Sequence, residues 1–95
     1  MLDFEFKRYG NIGQLIFDGE LTKERACELK VAIMVSLSNT DHLVVSLEKV
    51  SLIDDICACI FDIAQEKAEK LKKRIIFTGL KQAITYGLSG DAVSS

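Results

Sequence analysis

The side chains best suited to chemistry lie close together in the middle of the chain, where Asp54 and Asp55 are followed by Cys57 and Cys59. Two carboxylates could act as a general acid and a general base, and a thiol near a helix N-terminus could act in redox chemistry because its pKa is lowered there. Adjacent acids at a helix start are more simply explained as cap and dipole partners, which contribute on the order of 1 kcal/mol. Capping leaves these carboxylates exposed, so an incoming protein could still meet them.

The three cysteines favour a structural role in a reducing compartment. Cys57 and Cys59 lie two positions apart on a predicted helix, about 200° around its axis, so they cannot form a disulfide with each other. Cys27 is a lone third cysteine. A small redox protein that uses Cys59, the more outward of the pair, stays an alternative. Selective oxidation of Cys59 by mild peroxide, seen in a mass spectrum, would favour it.

Metal, cofactor and nucleic-acid sites find no support in the sequence. His42 is the only histidine and has no histidine or cysteine partner at ligand spacing, so we expect no metal. No glycine-rich phosphate loop occurs either, so we expect no cofactor. The net charge is −2, from 14 acidic and 12 basic residues, which provides no basic field for nucleic acid. The basic cluster at 67–74 closes a predicted helix, where cations offset the negative end of the helix dipole.

The length of 95 residues allows one domain. No apolar run approaches the roughly 18 residues of a membrane span, and the first residues lack the basic and apolar regions of a secretory signal. We therefore expect a cytoplasmic protein with no direct membrane insertion. Residues 1–88 should form the domain and 89–95 a flexible tail.

Hydrophobic periodicity predicts an α/β fold in the order β-β-α-β-α-β-α. A hairpin with strands near 3–8 and 13–18 turns at Tyr9-Gly10-Asn11. The remaining elements are a helix near 23–37 capped by Thr22, a strand at 43–47, a helix near 55–72 capped by Asp54 or Asp55, a strand at 74–78 and a last helix at 81–88. This alternation predicts a roughly four-stranded, mostly parallel sheet, and the single apolar stripe of each helix predicts helices packed on one face.

The second helix should have one inward and one outward stripe. The inward stripe is Ile56, Cys57, Ile60, Ile63, Ala64, Ala68 and Leu71, and the outward stripe is Asp55, Cys59, Asp62, Glu66, Glu69 and Lys73. Glu66 with Lys70, and Glu69 with Lys73, are four residues apart and should form supporting pairs. Right-handed crossovers bring the loops at 19–22, 50–55 and 78–81 to one end of the sheet, which is the candidate site.

Four short motifs occur in a specific order and spacing over roughly 3–88. They are Phe17-Asp18-Gly19-Glu20-Leu21, Val45-Ser46-Leu47-Glu48-Lys49-Val50-Ser51-Leu52-Ile53-Asp54, Phe77-Thr78-Gly79-Leu80 and Tyr86-Gly87-Leu88. Together they resemble the STAS domain family, the sulphate transporter and anti-sigma factor antagonist fold. The resemblance implies a STAS-like sheet and a non-enzymatic protein-interaction module of the bacterial cytosol that acts in partner switching.

In that family, a loop and helix that begin with Asp-Ser-Ser-Gly bind an anti-sigma factor or a kinase-like regulatory protein, and phosphorylation of the serine before the glycine breaks the complex. The matching residues here are Asp54-Asp55-Ile56-Cys57, so Ile56 takes the place of that serine and has no hydroxyl. The resemblance therefore implies partner binding without the usual serine switch. The implied partner-binding residues are Leu21, Thr22, Asp54, Asp55, Ile56, Cys57, Cys59 and Asp62.

Two further interpretations stay open within the same fold. Without a phosphate switch, the second helix could bind constitutively, as in an accessory subunit of a membrane transport or signalling complex. An unpaired sheet edge could also support a homodimer, because an unpaired strand edge invites pairing.

Overall fold

Residues 2–79 are described by a computed structural model as one sheet with two helices. The elements are β1 (Asp3–Tyr9), β2 (Ile12–Leu21), a single 3-10 turn (Lys23–Arg25), α1 (Ala26–Ser38), β3 (His42–Ile53), α2 (Asp55–Lys70) and β4 (Arg74–Thr78). The strand order is β1-β2-β3-β4. β1 and β2 form an antiparallel hairpin, whereas β2 with β3 and β3 with β4 are parallel pairs. The predicted hairpin and mostly parallel sheet are confirmed; the predicted last helix and tail lie outside the described residues.

Both helices pack on the same face of the sheet, as predicted. The strand register places Phe6, Leu15, Val45 and Phe77 in one row across the four strands, so their side chains share a face. The ring of Phe61 in α2 lies 4.9 Å from the ring of Phe77, measured between centroids. At the other end of the row, Phe6 lines a groove with α1. The core therefore lies between this face and the two helices.

The core is formed by apolar side chains from β2, β3 and both helices. Those with the least exposed surface include Leu15, Phe17, Leu21, Leu29, Ile33, Leu37, Leu43, Val45, Leu47 and Cys57. Leucine, isoleucine, valine and phenylalanine each contribute on the order of 1.5–3 kcal/mol when buried fully. Because these residues come from every layer, the ends of β2 and β3 and the start of α2 are fixed by a common core.

The central strands are longer than predicted. β3 continues from His42 to Ile53, whereas the sequence indicates a strand at 43–47 followed by a polar loop. The polar residues Glu48, Lys49 and Ser51 occupy exposed strand positions, while Val50 and Ile53 are buried. The pairing of β2 with β3 also contains two register shifts, which interrupt the regular alternation. Residues 19–21 and 50–53, which the sequence assigns to loops, therefore belong to β2 and β3.

The predicted inward stripe of α2 is wrong at three positions. Ile56, Ile63 and Leu71 are 50%, 45% and 42% exposed, and Ala58 and Phe61 are buried in their place. The buried stripe is Cys57, Ala58, Ile60, Phe61, Ala64 and Ala68. Relative to the prediction, α2 is rotated about its own axis, because Phe61 packs on Phe77 and the small alanines let the helix approach the sheet closely. The charged outward stripe from Asp55 to Glu69 is exposed as predicted.

The predicted ion pairs on α2 do not form within the described residues, where the one ion pair joins Glu5 and Lys7 of β1. The ammonium of Lys73 instead donates hydrogen bonds to the carbonyl oxygens of Leu37, at 2.9 Å, and Ser38, at 3.2 Å. These carbonyls lie in the last turn of α1, where the helix dipole is negative. Lys73 therefore caps the C-terminal end of the neighbouring helix rather than its own.

The C-terminal end of α2 holds a lysine in the left-handed region, since φ of Lys72 is 58°. The amide of Lys73 donates to the carbonyl of Ala68 at 2.8 Å and that of Lys72 to Glu69 at 3.1 Å, the Schellman arrangement in which glycine is preferred. We expect Lys72→Gly to raise the free energy of unfolding by about 1 kcal/mol, measured by urea denaturation. Lys67→Gly, at an exposed position one turn earlier in α2, is the matched control inside the helix and should lower it by roughly 0.5–1 kcal/mol. A loss of stability in Lys72→Gly would contradict the expected strain.

Candidate functional site

The ends of β2 and β3 lie side by side at one end of the sheet. Leu21 and Ile53 are register partners in this parallel pair, and the amide of Asp54 donates to the carbonyl of Leu21 at 2.9 Å. Thr22 and Asp54 therefore leave the sheet next to each other, each leading into a helical segment. This geometry confirms the expectation for two of the three predicted loops; the third, at 78–81, extends outside the described residues.

The carboxylate of Asp54 caps the first helical segment and not its own helix. Its Oδ2 accepts a hydrogen bond of 2.8 Å from the backbone amide of Lys23, at the start of the 3-10 turn. Asp54 occupies the backbone N-cap position of α2, yet its side chain makes no cap bond there, and neither does Thr22 at the 3-10 turn. The predicted capping by Thr22 and by Asp54 is corrected accordingly. Asp54 joins the starts of the two helical segments.

Cys57 provides a second contact between the two loops. Its thiol is fully buried and donates from Sγ to the carbonyl oxygen of Thr22 at 3.4 Å. Burial, and to a lesser extent the negative charge of Asp54, raises the pKa of Cys57 from 9.0 to about 11. The thiol therefore stays protonated near neutral pH and keeps the proton that it donates. Its environment is the opposite of that of a reactive thiol at a helix start.

This difference in burial predicts the reactivity of the three thiols. Cys27 and Cys59 are exposed, whereas Cys57 is buried and protonated. We expect an aromatic disulfide reagent near pH 8 to label Cys27 and Cys59 in the folded protein, and Cys57 as well only after denaturation. Peptide mass mapping of the labelled chain identifies the sites. Rapid labelling of Cys57 in the folded protein would show that the contact between the two loops is not maintained.

The first three turns of α2 present a mixed apolar and acidic surface. Successive residues turn by about 100°, so Ile56, Cys59 and Ile63 lie within about 60° of one another, beside an acidic row of Asp55, Asp62 and Glu66. All six residues are exposed. We call these six residues the α2 surface. Next to its N-terminal end lies a groove of about 470 Å³ lined by Lys23, Asp54, Asp55 and Ile56.

The structure divides the predicted site residues into two groups. Asp55, Ile56, Cys59 and Asp62 are exposed on the α2 surface. Leu21 and Cys57 are fully buried, and Thr22 and Asp54 are half-buried in the contact between the loops. Buried side chains position the surface and do not themselves form it.

Sequence reasoning misses two exposed members of this region, Lys23 and Ile63. The pattern places Lys23 at the start of the predicted helix 23–37, and Ile63 in the inward stripe of the second helix. The spacing of Ile56 and Ile63, seven residues apart, is the available signal, because positions i and i+7 always share a helix face.

Among residues 2–79, no helix is both long enough and apolar enough to cross a membrane. In the same range, no cluster of three or more histidine, cysteine, aspartate or glutamate side chains could hold a metal ion.

Comparisons of sequence find no matching family model and no matching curated protein. Comparison of structures does find similar folds. The anti-sigma factor antagonist SpoIIAA in its unphosphorylated form is similar with a TM-score of 0.68 and 13% identity, over 97% of this chain and 96% of that one. The structure called Mglu has a TM-score of 0.73 and 16% identity over 84% of this chain, which spans only 20% of that protein's length.

A third similar structure is described as an anti-sigma factor antagonist, a STAS domain, from Rhodobacter sphaeroides. Its TM-score is 0.68 at 15% identity, over 88% of this chain and 90% of that one. Identities this low establish similarity of fold, and the coverage extends over nearly the whole chain in two of the three. The sheet order, the hairpin and the two helices on one face agree with this finding. The chain therefore has the STAS fold.

Proposed function

We propose that this chain is a non-enzymatic protein-interaction module that binds a regulatory protein, such as an anti-sigma factor or a kinase-like protein, through the α2 surface. We place it in the bacterial cytosol, where partner switching of this kind controls transcription. The observation that supports the proposal most directly is the construction of the α2 surface: exposed apolar and acidic side chains stand on a helix whose start is fixed by buried contacts.

The fixed helix start supports binding because it reduces the entropy lost on association. Three contacts join the segments at 21–23 and 54–57: the amide of Asp54 to Leu21, the amide of Lys23 to the Asp54 carboxylate, and the Cys57 thiol to Thr22. A surface ordered before binding loses less conformational freedom when a partner arrives. The acidic row adds electrostatic complementarity to a basic partner, which raises the association rate and restricts the choice of partner.

The same residues support binding without a serine switch. Ile56 is at the position of the phosphorylated serine in the family resemblance, and its exposed side chain offers apolar contact area instead of a hydroxyl. Cys57 is at the glycine position and is buried, so it adds no bulk to the exposed surface. Binding would therefore be controlled by the concentration of the partner or by a signal that acts on the partner.

The test is charge reversal on the α2 surface. We expect Asp55→Lys with Asp62→Lys to weaken binding of the cognate partner at least tenfold, about 1.4 kcal/mol, because two favourable charges become repulsive. The partner is captured from the native host with the parent chain and identified by mass spectrometry. Its Kd is then measured by isothermal titration calorimetry.

Glu69→Lys serves as the matched control for this experiment. Glu69 is exposed on the same helix but lies two turns beyond Asp62, so its reversal should change Kd much less. Thermal unfolding of each variant checks that the fold is retained. If the Asp55 and Asp62 variant binds with the parent's Kd, the α2 surface is not the interface.

Two alternatives have their own discriminating observations. The lack of a hydroxyl at Ile56 also fits a constitutive accessory subunit of a membrane transport or signalling complex, and the identity of the captured partner separates that from partner switching. A small redox protein would need Cys59, which is exposed. Selective oxidation of Cys59 by mild peroxide would favour that role, and inertness would end it.

A further inference from the structure

We propose that a second copy of this chain pairs with the free edge of β1, in antiparallel orientation, to form a continuous eight-stranded sheet. β1 is an outer strand of the sheet, and within residues 2–79 only β2 pairs with it. Among those residues its outward backbone donors and acceptors have no strand partner, so they can form a ladder with another strand. This surface is separate from the α2 surface and does not depend on the proposed function.

The charges of β1 identify a second copy as the occupant. Charged residues on an edge strand commonly prevent pairing, but here their order is self-complementary. The strand Asp3–Tyr9 is centred on Phe6. Full antiparallel overlap of two copies therefore places Phe6 opposite Phe6 of the other copy, beside the two-fold axis. Glu5 of each copy then lies directly opposite Lys7 of the other. Opposite charges at facing positions stabilise strand pairs, whereas like charges destabilise them.

On the face of β1 that carries the helices, apolar side chains also lie next to the proposed contact between the two copies. Phe4 and Phe6 are 49% and 37% exposed, and in α1 Val31 and Val35 are 56% and 54% exposed. These four side chains line a groove of about 300 Å³ between β1 and α1. Antiparallel pairing about an axis perpendicular to the sheet keeps both sets of helices on one face. Each groove therefore opens toward that of the other copy, and the apolar side chains of both copies meet.

The size of this interface indicates a weak dimer. Each copy contributes the seven residues of β1 and the two exposed valines of α1, fewer than the roughly 20–30 residues a side of a standard stable interface, so we expect a Kd in the micromolar range. Sedimentation equilibrium of the full chain from about 10 µM to about 1 mM covers that range. A monomer at every concentration, as would occur if another segment of the chain covered β1, would overturn the proposal.

Charge exchange tests the register directly. Glu5→Lys places lysines opposite lysines, and Lys7→Glu places glutamates opposite glutamates, so each variant alone should raise Kd at least tenfold. When the two variants are mixed, the two lysines of the Glu5→Lys copy lie opposite the two glutamates of the Lys7→Glu copy. The mixed dimer should therefore regain the parent's Kd within a few-fold.

The mixing experiment separates pairing from effects within one chain. Glu5 and Lys7 also form an exposed ion pair at 3.9 Å within β1, and each variant loses that pair equally alone and in the mixture. Recovery on mixing therefore reports contact between copies. Two variants that dimerise like the parent, or a mixture that fails to recover, would each rule out the Glu5–Lys7 register.

Discussion

Gly79→Ala should lower the free energy of unfolding by roughly 2–4 kcal/mol, measured by urea denaturation. Gly79 follows β4 with φ of 77°, a conformation in which a Cβ is strained. An added Cβ would also lie 2.6 Å from Cγ, 2.7 Å from N and 2.8 Å from Cα of Glu48 in β3. The backbone of a paired strand cannot move aside easily, so strain and overpacking add. The backbone conformation and the close approach to Glu48 thus explain why the Phe77-Thr78-Gly79-Leu80 motif has glycine at this position.

Gly10→Ala is the matched control because it isolates the conformational part of this effect. Gly10 has φ of 64° in the hairpin turn, but no atom beyond Gly10 and its two chain neighbours lies within 4 Å of the position of an added Cβ. We expect it to cost about 1 kcal/mol. Equal losses in the two variants would show that the close approach of Gly79 to Glu48 contributes nothing.

Asp54→Ala should cost about 1–2 kcal/mol of stability and also weaken partner binding, because it removes the acceptor that joins the two loops at the site. The donor of that bond is the amide of Lys23, which would lose its acceptor in the loop contact. Unfolding by urea measures the stability, and the partner Kd measures the effect on the surface.

Asp54→Asn separates the hydrogen bond of Asp54 from its charge. Asparagine retains an oxygen that can accept from Lys23 and caps about as well as aspartate, so most of the stability should remain. Both variants should lower the pKa of Cys57, because both remove the negative charge that helps to raise it. Thiolate absorbance in a Cys27→Ser, Cys59→Ser background measures this pKa. A pKa that is unchanged in both variants would leave burial as its sole cause.

The sequence is sufficient to predict the sheet, the hairpin and the placement of both helices on one face. Local patterns carry that information: alternation in β1, a turn at Gly10, and apolar stripes at helical spacing. The prediction fails at 48–53, where register shifts in the pairing with β2 interrupt the alternation. It fails again at Ile56 and Ile63, because two rotations of α2 fit the same apolar spacing and only the packing of Phe61 on Phe77 decides between them.

The contacts that organise the candidate site cannot be predicted from local pattern. Sequence rules for caps consider only nearby residues and so assign Asp54 to its own helix, whereas its actual donor, Lys23, is 31 positions away. For the same reason, sequence rules pair Lys73 with Glu69, four positions away. The ammonium of Lys73 instead donates to the carbonyl of Leu37 in α1, 36 positions away. Pairings at such separations are determined by tertiary structure.

The two side chains that flank α2 have a joint consequence for motion. Asp54 holds the segment that leads into α1, and Lys73 holds the last carbonyls of α1. Opening of the 3-10 turn that leads into α1, or fraying of the last turn of α1, must therefore break a contact made by a residue next to α2. Helices tied in this way open together as one cooperative unit. A protein bound to α2 alone would consequently slow hydrogen exchange of the α1 amides, although it touches none of them.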